Sequence, residues 1–122
     1  MQAIRGWLRT HPDQRERVLQ HNESYVFFRP LPGPPEGSLG RPLTPGRSVA
    51  TDARLFPPGA LAFIETERPE RAADGSVRWV RLARFVLNQD TGGAIRGAGR
   101  VDFFWGRGEA AAFAAGLMKG IR

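Results

Sequence analysis

Apolar residues change their spacing several times along this chain of 122 residues, and each change predicts a different element. Ile4, Trp7 and Leu8 recur at the three- and four-residue intervals of a helix face, and Pro12, after His11, permits a second helical start leading to Val18 and Leu19. Asn22 and Glu23 break this pattern. Ser24-Tyr25-Val26-Phe27-Phe28-Arg29 is then a compact β-branched and aromatic run, which predicts a first strand. Residues 30–58 hold eight of the ten prolines together with Gly33, Gly37, Gly40 and Gly46. Proline fixes φ and removes a backbone donor, so this stretch is expected to be a long loop, interrupted by a short strand at Ser48-Val49-Ala50-Thr51. A loop of that length in a compact domain is either a groove wall or a poorly ordered arm, and the wall is the preferred reading.

Further on, residues 60–66 and 77–87 read as two strands of a hairpin, joined by a polar segment, residues 68–76, that carries the turn dipeptide Asp74-Gly75. A glycine-rich stretch, residues 92–99, precedes a short apolar run from Val101 to Trp105 that is centred on Asp102 and closed by Gly106 and Gly108. The last segment, residues 109–119, predicts a short amphipathic helix with Phe113, Leu117 and Met118 on its apolar side, Glu109 at its start and Lys119 at its end. Short strands with Gly/Pro-rich connections and helices at the ends imply a mainly β class and a small β-barrel. The expected organisation is a helical lead-in, residues 1–23, followed by one barrel domain, residues 24–122.

Composition narrows the chemistry. Hydrophobic residues make up 41% of the chain, enough for a folded core. The absence of cysteine excludes disulfides, thiolate nucleophiles and cysteine-ligated metal. No apolar stretch approaches the ~20 residues needed to cross a bilayer, and charges interrupt residues 1–17, so neither an export signal nor an anchor is expected as the sequence reads. The net charge is +6, and Lys119 is the single lysine among eighteen basic residues. Attraction to a polyanion is one explanation. A general arginine bias is preferred, because the arginines are scattered and accompany a high Ala, Gly and Pro content.

Five aspartates, Asp13, Asp52, Asp74, Asp90 and Asp102, are the candidate acids. Asp13 lies by a helix start and Asp74 in a turn, where propensity explains them. Asp102 interrupts an apolar run. Either it is desolvated, which raises a carboxyl pKa, or strand alternation turns it outward to water. Asp90 precedes Thr91-Gly92-Gly93, where it either points into a site or fixes the turn, the turn being favoured. Asp52 taken alone is uninformative. No Gly-Lys-Ser/Thr follows the glycine-rich stretch, and His11 and His21 do not stand at a ligand spacing, so neither a nucleotide, a metal nor any other cofactor is expected. A Ser-His-Asp nucleophile ranks below the carboxylates, since no Gly-x-Ser-x-Gly elbow occurs.

Four segments carry a family signature when taken in order. They are Ser24-Tyr25-Val26-Phe27-Phe28-Arg29, Leu43-Thr44-Pro45-Gly46-Arg47-Ser48-Val49-Ala50-Thr51-Asp52, Gln89-Asp90-Thr91-Gly92-Gly93-Ala94-Ile95-Arg96-Gly97 and Asp102-Phe103-Phe104-Trp105-Gly106. With these the chain resembles the membrane-bound lytic murein transglycosylase A family, over about residues 4–119. The last three segments resemble its three-aspartate, or 3D, domain. The resemblance implies a double-psi β-barrel in which Asp52, Asp90 and Asp102 meet at a groove for a peptidoglycan glycan strand. It also implies cleavage between N-acetylmuramic acid and N-acetylglucosamine with formation of a 1,6-anhydro end. Asp102 would then be the acid and base, Asp90 would shape the site's electrostatics and Asp52 would support it. Gly92 and Gly93 would allow close approach to the sugar, and Phe104 or Trp105 would stack on it or else pack in the core.

Relatives have a longer N-terminal part, a second β-rich domain and one more strand after the end of this chain. An incomplete barrel is therefore expected, with self-association or a partner chain covering its edges. A periplasmic or outer-membrane location follows from the resemblance alone. The rival readings are a non-catalytic glycan-binding barrel and a basic nucleic-acid-binding protein. The second rests only on the charge, so a nucleic-acid partner is not expected.

Overall fold

The computed structural model describes residues 2–28 and 30–118, and the chain divides into two compact units, Met1–Pro32 and Gly33–Arg122. The first unit holds the two expected helices, α1 (Gln2–Thr10) and α2 (Arg15–Gln20). At the end of α1 the His11 ring stacks on Trp7, with centroids 4.2 Å apart and planes 8° from parallel. This accounts for His11 as a packing residue, and Arg15 Nε ties α2 back to the Leu8 carbonyl at 3.3 Å.

The strand expected at residues 24–29 is not formed over its described part; Arg29 lies outside the described residues. Tyr25, Val26, Phe27 and Phe28 have strand-forming side chains, but a strand exists only where a second backbone accepts its ladder bonds, and none does so among the described residues. Their side chains are correspondingly exposed, Phe28 at 92%.

The second unit contains β1 (Ser48–Ala50), β2 (Leu61–Arg71), β3 (Val77–Asp90), β4 (Asp102–Phe103) and α3 (Glu109–Leu117). The strands form one sheet in the order β2-β3-β1-β4. β1 runs parallel to β3 and antiparallel to β4, and β2 and β3 form the expected antiparallel hairpin. That hairpin is longer than the sequence suggests, because pairing continues through residues 68–71 to Arg71↔Val77. Pro69 does not stop it. β2 is an edge strand, the place in a sheet where a missing N–H is tolerated. The turn is made as expected, with Gly75 at φ +82° and Asp74 Oδ1 accepting bonds from both the backbone N–H and the hydroxyl of Ser76.

Side-chain alternation gives the hairpin two unlike faces. Leu82 and Val86 are buried, 3% and 1% exposed, and α3 packs against β2, adding Ala111 and Ala114 to the core. Arg71 lies over the Phe113 ring, 4.7 Å from its centroid. On the opposite face Leu61 pairs with Leu87 and Phe63 with Phe85, and all four are exposed. The mainly β class is found as expected. The sheet ends at β2 and β4 and leaves both as edges among the described residues. No helix of the described residues is long and apolar enough to cross a membrane.

Candidate functional site

β1 is three residues long and buried throughout, and β3 and β4 pair with its two edges. At its C-terminal end Ala50 has Asp90 as its register partner on β3 and Asp102 as its partner on β4. Two of the three aspartates singled out in the sequence thus flank one small residue, two strand spacings or ~10 Å apart at their Cα atoms. Both line a cavity of about 200 Å³, together with Leu43, Val49, Ile95 and Phe104. A second cavity, of about 730 Å³, is lined by Glu65, Arg100, Asp102, Trp105 and Met118 among others. Asp102 and Phe103 belong to both linings, so the two-residue strand β4 is the partition between the cavities.

The three carboxylates differ in environment. Asp102 is 49% exposed and held by Arg100, whose Nε donates to Oδ1 at 3.0 Å and whose NH2 donates to Oδ2 at 3.2 Å. Half-exposed as it is, Asp102 is not the desolvated carboxyl that its apolar flank suggests, and Val101, 45% exposed, is not buried beside it as strand alternation would require. Among the described residues β4 pairs with β1 alone and forms an edge of the sheet. Arg100 is further anchored by NH1 to the Ala94 carbonyl at 2.8 Å.

Asp90 is half-buried, and its Oδ1 accepts the backbone N–H of Thr91 at 2.8 Å and of Ser38 at 2.9 Å. The first bond is the local turn role expected. The second pins the proline-rich loop to β3. Gly37 makes that approach possible, because a Cβ at this position would sit 2.2 Å from the Gln89 carbonyl oxygen. The loop is a built part of the site, since its Leu43 lines the smaller cavity.

Asp52 is fully buried and the most heavily bonded of the three. Arg54 grips it with Nε to Oδ1 at 3.0 Å and NH2 to Oδ2 at 2.7 Å, and the backbone N–H groups of Arg54 and Gly97 donate to it at 3.1 and 2.9 Å. The Arg54 guanidinium, then the Gly97 N–H, hold this carboxyl well below the usual carboxylate range against the opposing pull of burial. It lines neither cavity. Asp52 therefore ties the segment after β1 to the glycine-rich stretch behind the other two aspartates.

Of the remaining residues picked from the sequence, Gly92 opens a turn closed by Ile95 N–H to the Gly92 carbonyl at 2.9 Å, and Gly93 is exposed with open space at its Cα. Phe104 is half-buried in the smaller cavity and Trp105 half-buried in the larger. The sequence reading missed Arg54, Gly97 and Arg100. Arg100 carried a signal in Arg100-Val101-Asp102, since residues two apart in extended chain face the same way. Arg54 lies in the turn that follows Asp52, whose carboxylate accepts the backbone N–H two residues on, and Gly97 had no local signal. No cluster of His, Asp and Glu that could hold a metal ion occurs among the described residues.

Residues 47–121 match the 3D domain family, and residues 1–29 match the MltA specific insert domain. The chain is 35% identical to membrane-bound lytic murein transglycosylase A of Vibrio cholerae over 98% of its own length, and 36% identical to that of Escherichia coli over 95%. It spans about a third of these relatives, 32% of each. Among solved structures, E. coli MltA with bound chitohexaose superposes with a TM-score of 0.77 at 35% identity, covering 94% of this chain and 34% of that one. MltA from Neisseria gonorrhoeae superposes with a TM-score of 0.70 at 38% identity, covering 94% and 28%.

Proposed function

The chain belongs to the 3D domain family, and from that premise we propose that it is the barrel portion of a peptidoglycan lytic transglycosylase. The observation that carries this reading is the placing of Asp90 and Asp102 on either side of Ala50, at the wall of two adjoining cavities. The open sheet is read as part of a double-psi β-barrel, which the unmatched two thirds of its relatives would complete. That its relatives are membrane-bound murein transglycosylases supports a membrane-associated place in the cell envelope, in the periplasm or at the outer membrane.

The proposed reaction needs one acid. Protonated Asp102 gives its proton to the glycosidic oxygen of the N-acetylglucosamine as the bond from C1 of N-acetylmuramic acid breaks. The muramic C6 hydroxyl oxygen then bonds to that C1, and its proton returns to Asp102. No water is consumed. A pair of carboxyls of the kind used by hydrolytic glycosidases is therefore unnecessary. Asp90 orients the proline-rich loop through Ser38 and adds negative potential across Ala50, and Asp52 holds the segment behind both. Phe104 and Trp105 each offer a partly exposed ring to a sugar.

A non-catalytic glycan-binding barrel is the second reading, favoured by the Arg100 pair that occupies Asp102 in the free protein. Incubation with peptidoglycan sacculi, followed by mass spectrometry, separates the two. Soluble 1,6-anhydro-muropeptides from the wild type that vanish with Asp102→Asn support the enzyme. Retention on sacculi without soluble products supports the binding module, and neither retention nor products would sink both.

A further inference from the structure

We propose that Arg100 is a specificity-determining residue that leaves Asp102 to take a carboxylate carried by the muramic acid of the glycan. This rests on the glycan reading above and goes beyond it by naming what the site reads. Arg100 is the arginine that lines the larger cavity. Its side chain is 49% exposed, and its planar fork already holds one carboxylate through two parallel bonds. That geometry is the one a second carboxylate can take over.

The exchange has a chemical reason. A carboxyl whose two oxygens both accept from one guanidinium is turned to that partner and not to a glycosidic oxygen, so it cannot deliver a proton there while the pair lasts. Something in the complex has to draw Arg100 away. An anionic substituent does so with little loss, because one charge-assisted pair replaces another. The bond from NH1 to the Ala94 carbonyl leaves the guanidinium tethered to the glycine-rich turn while its other nitrogens change partner. A neutral chitin chain offers no such group. The carboxylate has two sources, the lactyl acid of a peptide-free muramic acid and the acids of a stem peptide attached there.

NMR titration of the full chain tests this with three small probes that the proposed chemistry cannot cleave further. They are neutral chitobiose, the N-acetylglucosaminyl-1,6-anhydro-muramic acid disaccharide with its free lactyl acid, and the same disaccharide bearing a stem peptide. Arg100→Ala is expected to weaken binding of an anionic probe about tenfold, the usual scale of one lost charge-assisted pair. Chitobiose should change less than about twofold, within the noise of a contact not made, and Arg100→Lys should recover part of the loss. A loss confined to the lactyl probe or to the peptide probe supports the proposal and identifies the source. Equal losses for neutral and anionic probes, or no loss, overturn it while leaving the glycan reading intact. Failure of the wild type to bind any probe overturns both. Should Arg100→Ala not fold, Arg100→Gln against Arg100→Lys makes the same comparison.

Discussion

The buried Asp52 carboxylate accepts the backbone N–H of Gly97 at 2.9 Å, from a residue 45 positions later in the chain. This bond and the Arg54 fork make Asp52 the fastening between the end of β1 and the glycine-rich stretch that leads into β4. The carboxyl's pKa is depressed in the folded chain, so its contribution is complete above its unfolded value of ~3.9 and is lost as pH falls below it. Urea midpoints followed from neutral pH down to about 3 should therefore drop steeply for the wild type and less for Asp52→Asn. Parallel curves would remove Asp52 from the acid sensitivity of the fold. At neutral pH Asp52→Ala should lower Tm more than Asp90→Ala does, because it strands two N–H donors and a guanidinium.

Leu82 sets the scale for the small core between the hairpin and α3. Truncation to Ala removes a buried side chain, 3% exposed, and is expected to cost about 2–5 kcal/mol. Denaturation in urea measures it. A loss under about 0.5 kcal/mol, the range of ordinary surface changes, would mean that this face is wetter than described.

Gly37 and Gly93 should respond differently to alanine. At Gly37 the new methyl meets the Gln89 carbonyl oxygen at 2.2 Å, which forces the loop away from β3 at a cost of about 1–3 kcal/mol and breaks the bond from Ser38 N–H to Asp90. At Gly93 no heavy atom lies within 4 Å, so stability should be unchanged. Glycan binding by Gly93→Ala is then the informative reading. A folded variant with weakened binding indicates close approach of sugar to that backbone, and unaltered binding removes Gly93 from the site.

How far the sequence reveals this arrangement depends on whether partners are local. The hairpin is legible because its partners are sequence neighbours and its turn is marked by Asp74-Gly75. Its true length was hidden by Pro69, whose tolerance depends on β2 lying at an edge. The run Ser24 to Phe28 shows the converse, since strand propensity names side chains that suit a sheet without supplying one. Asp102 illustrates the same limit at the site. Its apolar flank suggests desolvation, but a two-residue edge strand leaves it half in water beside Arg100. Asp52 looked uninformative because its burial and its bond from Gly97 arise only when the fold brings a stretch 45 residues away against it, although Arg54 lies two positions on.

The exposed face carrying Leu61, Phe63, Phe85 and Leu87 should make the chain associate as concentration rises. The Phe63 and Phe85 rings, with centroids 5.1 Å apart, are its centre. Sedimentation velocity should show association for the wild type and a shift toward monomer for Phe63→Glu. A wild type that is monomeric throughout would show that this face is stable in water.

The pairing of β3 with two strands of opposite kind also sets an order of assembly. Its contacts with β2 close across a five-residue turn, whereas its parallel register with β1, Ser48 opposite Leu87, requires closure of a long intervening chain. Loop-closure entropy makes the hairpin the early event and the β1 pairing the late one. The neighbourhood of Ala50 that brings Asp90 and Asp102 together is therefore expected to form after the hairpin, on which its register depends.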